Sequence, residues 1–409
     1  MASRALIKET LAQPYVKRLW MARFISNFGN GLSPVALAFG ILHLKNGSSS
    51  ELGTVLAFTT LMLICTAPFG GVIADRFGKV RTVGTADIVG SLFLLFQAAY
   101  FATGHVPLAV LLIINGVFGM LNGIWWPAFS GVLPSLLPDH LLQVGNSLQQ
   151  LISNTALIMG SASAGFLVNA YGSALPLTVD AITFLIAGIV VFSFRRVTAV
   201  DKAHTNSVFK DLKEGWVITW SIKWIIVILA GFAFLIGFAS MGIDVLGPVI
   251  FSHKHDGPKL WAFVLSLQSI GLILGSLIGM RVRPKHPMRF VTMLTYSIAI
   301  YLLLLASNAP VLVIALGAFA WGIVGDLWGT MWWTALQKMV DKDALARVSS
   351  YDAIGSLMFR PVGLAVAAPV AAWVGVRGAV YIAAGGAFLS ITGMLLSKEV
   401  RNMSFSEDK

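Results

Sequence analysis

GGVIADRFGKVRT (residues 70–82) joins two apolar runs, 51–74 and 82–102, and confines its charges to Asp75, Arg76, Lys79 and Arg81. Each flanking run reaches the roughly 20 residues that a helix needs to cross a bilayer. So short a polar connection between two such runs reads as the turn of a helical hairpin in lipid. The same pattern continues outward to both ends of the chain. Breaks at charge, Gly or Pro clusters give twelve stretches, near 19–44, 51–74, 82–102, 107–133, 143–171, 174–194, 223–251, 259–280, 288–307, 310–337, 344–372 and 378–397. Lipid offers the backbone no hydrogen-bond partner, so only helices or closed barrels span it. Strict alternation of apolar and polar residues is absent, which excludes the barrel. The expected class is an all-α membrane protein of twelve transmembrane helices.

Composition agrees. Of 409 residues 57% are hydrophobic and 11% charged, with a mean hydropathy of +0.81. A soluble domain carries roughly a quarter charged residues, so water is not the medium that most of this surface faces. The single cysteine, Cys65, lies in an apolar run and excludes a disulfide framework or a cysteine-built metal site. The formal charge of +11 is a matter of placement. With a cytoplasmic N-terminus, 23 of the 29 Lys and Arg residues fall in segments on that side. Only Lys45, Lys254, Lys259 and Arg377 fall on the other, while Arg23 and Arg360 lie inside spans. The positive-inside rule then places both termini in the cytoplasm and the chain in the cell membrane. The excess of base is a topology signal, and no nucleic-acid partner is implied.

The longest polar segment, 195–222, carries KDLKEGW (210–216) and separates residues 1–194 from 223–409, six spans each. A shift of 203 residues lays 123–147 over 326–350, pairing Trp125 with Trp328 and Leu133 with Leu336. It also pairs Gly119 with Gly322, Gly160 with Gly363 and Gly172 with Gly375. Equal spacing of glycines and helix ends marks a parallel repeat, hence two six-helix bundles joined by a cytoplasmic linker.

The 70–82 loop resembles the signature loop of the major facilitator superfamily, G-x-x-x-D-R-x-G-R-K-x-x, with Gly71, Asp75, Arg76, Gly78, Lys79 and Arg81 in its places. Glycines at such a loop serve a tight turn and close approach. The resemblance implies that Asp75 meets the N-terminus of the eleventh span, near Arg347 to Ser350, where the helix dipole favours an acid, and latches the outward-open state. LPSLLPDHLLQVGNSLQQ (133–150), LTVDAITFL (177–185) and KDLKEGW resemble the drug:proton antiporter branch that holds macrolide-efflux proteins and the enterobactin exporter. The chain departs from that branch at Asn115, where many members carry an arginine, and at GSASAG (160–165), which lacks a proline after its first glycine.

Ionisable residues inside spans are costly and mark functional sites by default. Several share one helical face with other polar groups: Arg23, Asn27 and Asn30 in the first span; Asn115, Asn122 and Trp126 in the fourth; Asn146, Gln150, Ser153 and Asn154 in the fifth. The seventh brings Asp244, the tenth Asp326 and Trp333, the eleventh Arg360. In the resembled superfamily the first, fourth, seventh and tenth spans line the central cavity, so Arg23, Asn27, Asn30, Asn115, Asn122, Trp126, Asn154, Asp244, Asp326, Trp333 and Arg360 are the candidate transport residues. Asp244 is the acid expected to change protonation. Asp326 and Arg360 lie at matching depth and are expected to pair. Asp87 and Asp180 sit nearer helix ends and are weaker candidates, Asp180 on a helix that in the superfamily lies toward lipid. The Gly271, Gly275, Gly279 stripe of the eighth span and the Ser161, Gly165 stripe of the fifth suit close helix contact, and the resemblance implies that these two helices meet each other. His253 and His255 beside Asp256 read as a solvated turn.

No Walker, nucleophile-elbow or HExxH pattern occurs, so the chain is not read as an enzyme or an ATP-driven pump, and no cofactor or metal is called for. The reading is a monomeric secondary transporter working by alternating access. It exports an amphipathic small molecule, a drug or siderophore, with protons as coupling ion and the lipid bilayer as surroundings. The alternatives left open are an importer or lipid-type transporter of the same fold, and a non-transporting membrane scaffold or receptor.

Overall fold

The computed structural model describes residues 4–45, 47–195, 217–279, 281–282, 284–340, 348 and 355–404, the side chains of Asp75, Asp139, Gln143 and Gln337 excepted. Among these residues every regular element is helical. A short α1 (Arg4–Ala12) precedes α2 (Val16–Leu42), α3 (Ser49–Phe77), α4 (Lys79–Ala102), α5 (Leu108–Ser130), α6 (Asp139–Tyr171) and α7 (Ala174–Phe192). There follow α8 (Lys223–Ser252), α9 (Gly257–Gly279), α10 (Pro287–Ala306), α11 (Val311–Met339) and α12 (Arg360–Leu396). Among the described residues, eleven helical runs are long and apolar enough to cross a membrane. The last, Gly355–Leu396, bends at Gly375 (φ 78°, ψ 158°) and holds two helices, which gives the twelve expected.

The chain forms two units: Met1–Glu51, Phe58–His204 and Asp256–Ala262 in the first, Leu52–Ala57, Thr205–His255 and Phe263–Lys409 in the second. The segment expected as the linker lies outside the described residues between 196 and 216. In the first unit α2 packs against α6 and α7, and α4 against α7 and α5. In the second α12 packs against α8 and α10, and α10 against α11.

The glycines paired by the 203-residue shift do the same work in each unit. A Cβ on Gly160 of α6 would overlap the carbonyl oxygen of Phe28 on α2, and one on Gly363 of α12 would overlap that of Gly237 on α8. Gly119 of α5 sits on the carbonyl of Thr59, and Gly322 of α11 on that of Gln268. Gly172 (φ 73°) and Gly375 (φ 78°) both take the left-handed region and turn the chain into the next span. Only glycine adopts that region without steric cost, and only glycine lets two helix backbones touch.

The signature loop proves to be a single residue. Gly78 (φ 92°) separates α3 from α4, and the left-handed turn is its work alone. Gly71 differs from the expectation: it lies inside α3, and among the described residues no atom comes within 4 Å of where its Cβ would be. It makes no turn there, and among the described residues nothing approaches it closely. α3 is started by Ser48, whose hydroxyl accepts from the Glu51 backbone N–H (3.2 Å), a capping arrangement with the acid in the first turn. Lys79 lays its side chain over Gly131 at the C-terminal end of α5, where the helix dipole favours a cation. The Asp75 side chain and residues 341–347 and 349–354 lie outside the described residues, and with them both partners of the expected latch.

On the helix expected toward lipid, Asp180 itself is fully buried: its carboxylate accepts a hydrogen bond from Ser33, and Gly29 of α2 makes room for it and for Thr183. One further expectation changes. The Gly271, Gly275, Gly279 stripe faces α11, against Phe319, Ile323 and Thr330, and not the fifth span. Gly165 does meet the opening turns of α9, at Pro258, Lys259 and Ala262, all within the first unit.

Replacing Gly160 by alanine forces two backbones apart, and overpacking of this kind costs about 1–3 kcal/mol. Gly90→Ala puts its methyl 3.6 Å from the Phe118 ring, an ordinary contact. Thermal unfolding of the purified chain in detergent should show a clear loss for Gly160→Ala and little change for Gly90→Ala; equal midpoints would contradict the close approach.

Candidate functional site

Several helical faces converge in the first unit on a cavity of about 570 Å³. α2 contributes Arg23, Asn27 and Asn30 at steps of four and three, which place them on one face. α5 contributes Asn122 and Trp126 one turn apart, with Trp125 and Phe129 beside them. α6 contributes Asn146, Gln149, Gln150, Ser153 and Asn154, and α4 contributes Asp87. Of the candidates read from the sequence, Arg23, Asn27, Asn30, Asn122, Trp126 and Asn154 come together here.

Asn115 does not. It is buried, and its Nδ2 donates to the Leu111 carbonyl one turn back (2.9 Å), bonding to its own helix instead of reaching the cavity. Asn122 bonds back likewise, to Phe118 (2.9 Å), but still lines the cavity. Asn154 accepts from Gln150 Nε2 at 3.0 Å.

Arg23 organises the site. Its guanidinium lies 4.5 Å from the centre of the Trp125 ring and 4.6 Å from that of Phe129, and the two rings stack at 4.4 Å and 12°. Nη1 donates to Ser26 Oγ and Nη2 to Asn27 Oδ1, each at 3.1 Å. The acid that acts on it is Asp87, 3% exposed, with the Trp125 indole as further neighbour. Its place near a helix end makes Asp87 a weaker candidate in the sequence; the structure sets it beside Arg23 on the cavity wall. Gln149 and Phe129 were not singled out at all, although Gln149 stands one turn from Ser153 and Phe129 seven residues from Asn122, both spacings of a shared face.

The model of the Major Facilitator Superfamily matches residues 19–357. The chain belongs to this superfamily. It is 24% identical over 329 residues to the uncharacterized MFS-type transporter YkuC of Bacillus subtilis (strain 168), covering 75% of this chain and 74% of YkuC. A stretch of 120 residues is 28% identical to the quinolone resistance protein NorA of Staphylococcus aureus, 29% of this chain and 30% of NorA. The fold matches the crystal structure of the nucleoside transporter NupG with a TM-score of 0.74 over 94% of this chain and 98% of that one, at 12% identity. The protein is therefore a multi-pass, non-enzymatic transporter of this superfamily.

In the second unit of this transporter the charges pair otherwise than expected. Arg360 does not meet Asp326; its Nη2 donates to Asp244 Oδ2 at 3.1 Å. Asp326 accepts from Ser276 Oγ of α9 at 2.7 Å. Two local features explain the exchange. Gly237 and Gly363 bring α8 and α12 into backbone contact, and Arg360 precedes Gly363 by one turn. A π-helical turn over Met241–Leu246 adds a residue to α8 and re-aims Asp244. Trp328 and Trp332 line a smaller cavity of about 160 Å³ with Phe232, whereas Trp333 is 46% exposed.

The pair assignment is open to a charge exchange. Asp244→Arg with Arg360→Asp should recover part of the stability lost in Asp244→Ala or Arg360→Ala, because each single change strands a charge. Asp326→Asn should be mild, since an amide still accepts from Ser276. Unfolding midpoints in detergent decide it: rescue by exchanging Asp326 with Arg360 instead would overturn the pairing.

Proposed function

We propose that this transporter is a proton-coupled exporter of amphipathic small molecules, that the first-unit cavity holds the substrate and that Asp87 carries the coupling proton. The observation that carries the reading is Arg23 and Asp87 set together in a cavity walled by Trp125, Trp126, Phe129 and a row of carboxamides. Aromatic walls take the apolar body of such a molecule by area and cation–π attraction, while the amides offer donors and acceptors without adding charge. The short similarity to NorA supports efflux. The distribution of Lys and Arg supports a cell-membrane protein with both termini cytoplasmic. A monomer suffices, since one chain supplies every group invoked.

Asp87 takes over the role that sequence suggested for Asp244, because Asp244 is held by Arg360 and Asp87 lines the cavity. Two neighbours bear on it, Arg23 from α2 and the Trp125 indole from α5. From α7, Gly188 lies against Asp87 and Phe184 lines the same cavity, and neither is titratable. A carboxylate closed off from water binds a proton more readily and releases it on opening, which couples proton movement to alternating access.

In proteoliposomes, members of a panel of amphipathic compounds should evoke proton movement opposite to their own. Asp87→Asn should abolish gradient-driven accumulation and leave downhill exchange. Driven transport with unchanged pH dependence in Asp87→Asn would remove Asp87 from the role, and absence of compound-evoked proton movement in the parent protein would remove the function.

A further inference from the structure

The cavity of the first unit carries two charges, Arg23 and Asp87, and its donors are not all used. Arg23 Nε is buried and has no hydrogen-bond partner among the described residues, and neither has Asn27 Nδ2. The orientation of that amide is fixed by its other end: Asn27 Oδ1 accepts from Arg23 Nη2, and a flipped amide would set its NH₂ against the guanidinium. Two N–H groups on neighbouring turns of α2 are therefore left for an acceptor. A buried donor without a partner costs about 1–3 kcal/mol, a standing penalty that a ligand oxygen would relieve. The guanidinium carbon lies 4.5 Å from the centre of the Trp125 ring and 4.6 Å from that of Phe129, so a ligand acceptor at Arg23 meets an aromatic wall as well as a cation.

Charge balance narrows the ligand further. A purely anionic ligand at Arg23 strands Asp87, and a purely cationic one at Asp87 strands Arg23, each leaving a buried charge uncompensated. A ligand with both signs leaves each protein charge with a partner. At about 570 Å³ the cavity lies within the range of small-molecule sites.

We infer that this cavity takes an amphoteric aromatic ligand, one that presents an ammonium group to Asp87 and a carboxylate or similar anionic acceptor to Arg23 Nε and Asn27 Nδ2, with its ring system against Trp126 and Phe129. The inference rests on the cavity being the substrate site. It deepens the transport reading in one respect: the ammonium group and the coupling proton occupy the same carboxylate, so they exclude each other, as antiport requires.

Three probes on one scaffold separate the charge requirements: naphthylalanine, naphthylethylamine and naphthylpropionate, titrated by calorimetry into the purified full-length chain in detergent at neutral pH. Naphthylalanine should bind at least ~10-fold more tightly than either singly charged analogue, about 1.4 kcal/mol. Arg23→Gln should remove its advantage over naphthylethylamine, and Asp87→Asn its advantage over naphthylpropionate. The unmodified protein decides the matter even where a variant fails to fold. A singly charged probe that binds as tightly, no saturable binding of naphthylalanine, or an advantage unchanged in both variants overturns the inference. Compound-evoked proton movement in proteoliposomes together with such a result would leave the transport reading standing and remove only the ligand class.

Discussion

A guanidinium inside a membrane helix must be compensated where it stands, and the way Arg23 is compensated shapes the first unit. An arginine inside a membrane span is costly unless it is paired. The stacked rings of Trp125 and Phe129 stand beside it, Ser26 and Asn27 accept from its two terminal nitrogens, and Asp87 supplies the opposite charge. These groups come from three helices, so α2, α4 and α5 are held to one another around the cation. The cavity opens beside it, and the carboxamides of α6 complete its wall.

The two units share a frame and differ in how they use charge. The frame is set by the glycine pairs Gly160 with Gly363, Gly119 with Gly322 and Gly172 with Gly375, which fix the same helix contacts and the same turn twice. Within it, the second unit gives each of these charges a direct partner: Arg360 bonds to Asp244, and Asp326 accepts from the Ser276 hydroxyl. The first unit leaves Arg23 with an unused N–H and Asp87 on a cavity wall. A duplicated scaffold thus carries a cavity with unused polar groups in one copy and a direct ion pair in the other.

The number of spans and the repeat were legible in the sequence because apolar length and glycine spacing are properties of single helices and of the chain order. The face Arg23, Asn27, Asn30 was legible for the same reason. What the sequence withheld was every fact about which helix faces which. Arg360 and Asp326 matched in depth, yet depth along a helix says nothing about azimuth, and the π-helical turn at Met241–Leu246 has no signature in residue spacing. Asp87 looked peripheral until α2 and α5 stood beside it, and Asn115 looked like a cavity residue until its amide proved to be bonded to its own helix.

If substrate and proton share one carboxylate beside Arg23, each must displace the other. The most direct measurement is proton release on ligand binding, followed with a pH indicator in weakly buffered detergent solution as naphthylalanine is added to the purified chain under mildly acidic conditions. Release should track ligand occupancy in the parent protein and be lost in Asp87→Asn, while Asp244→Asn retains it. Release that persists in Asp87→Asn, or binding with no release at any pH where the protein is folded, would contradict the shared site.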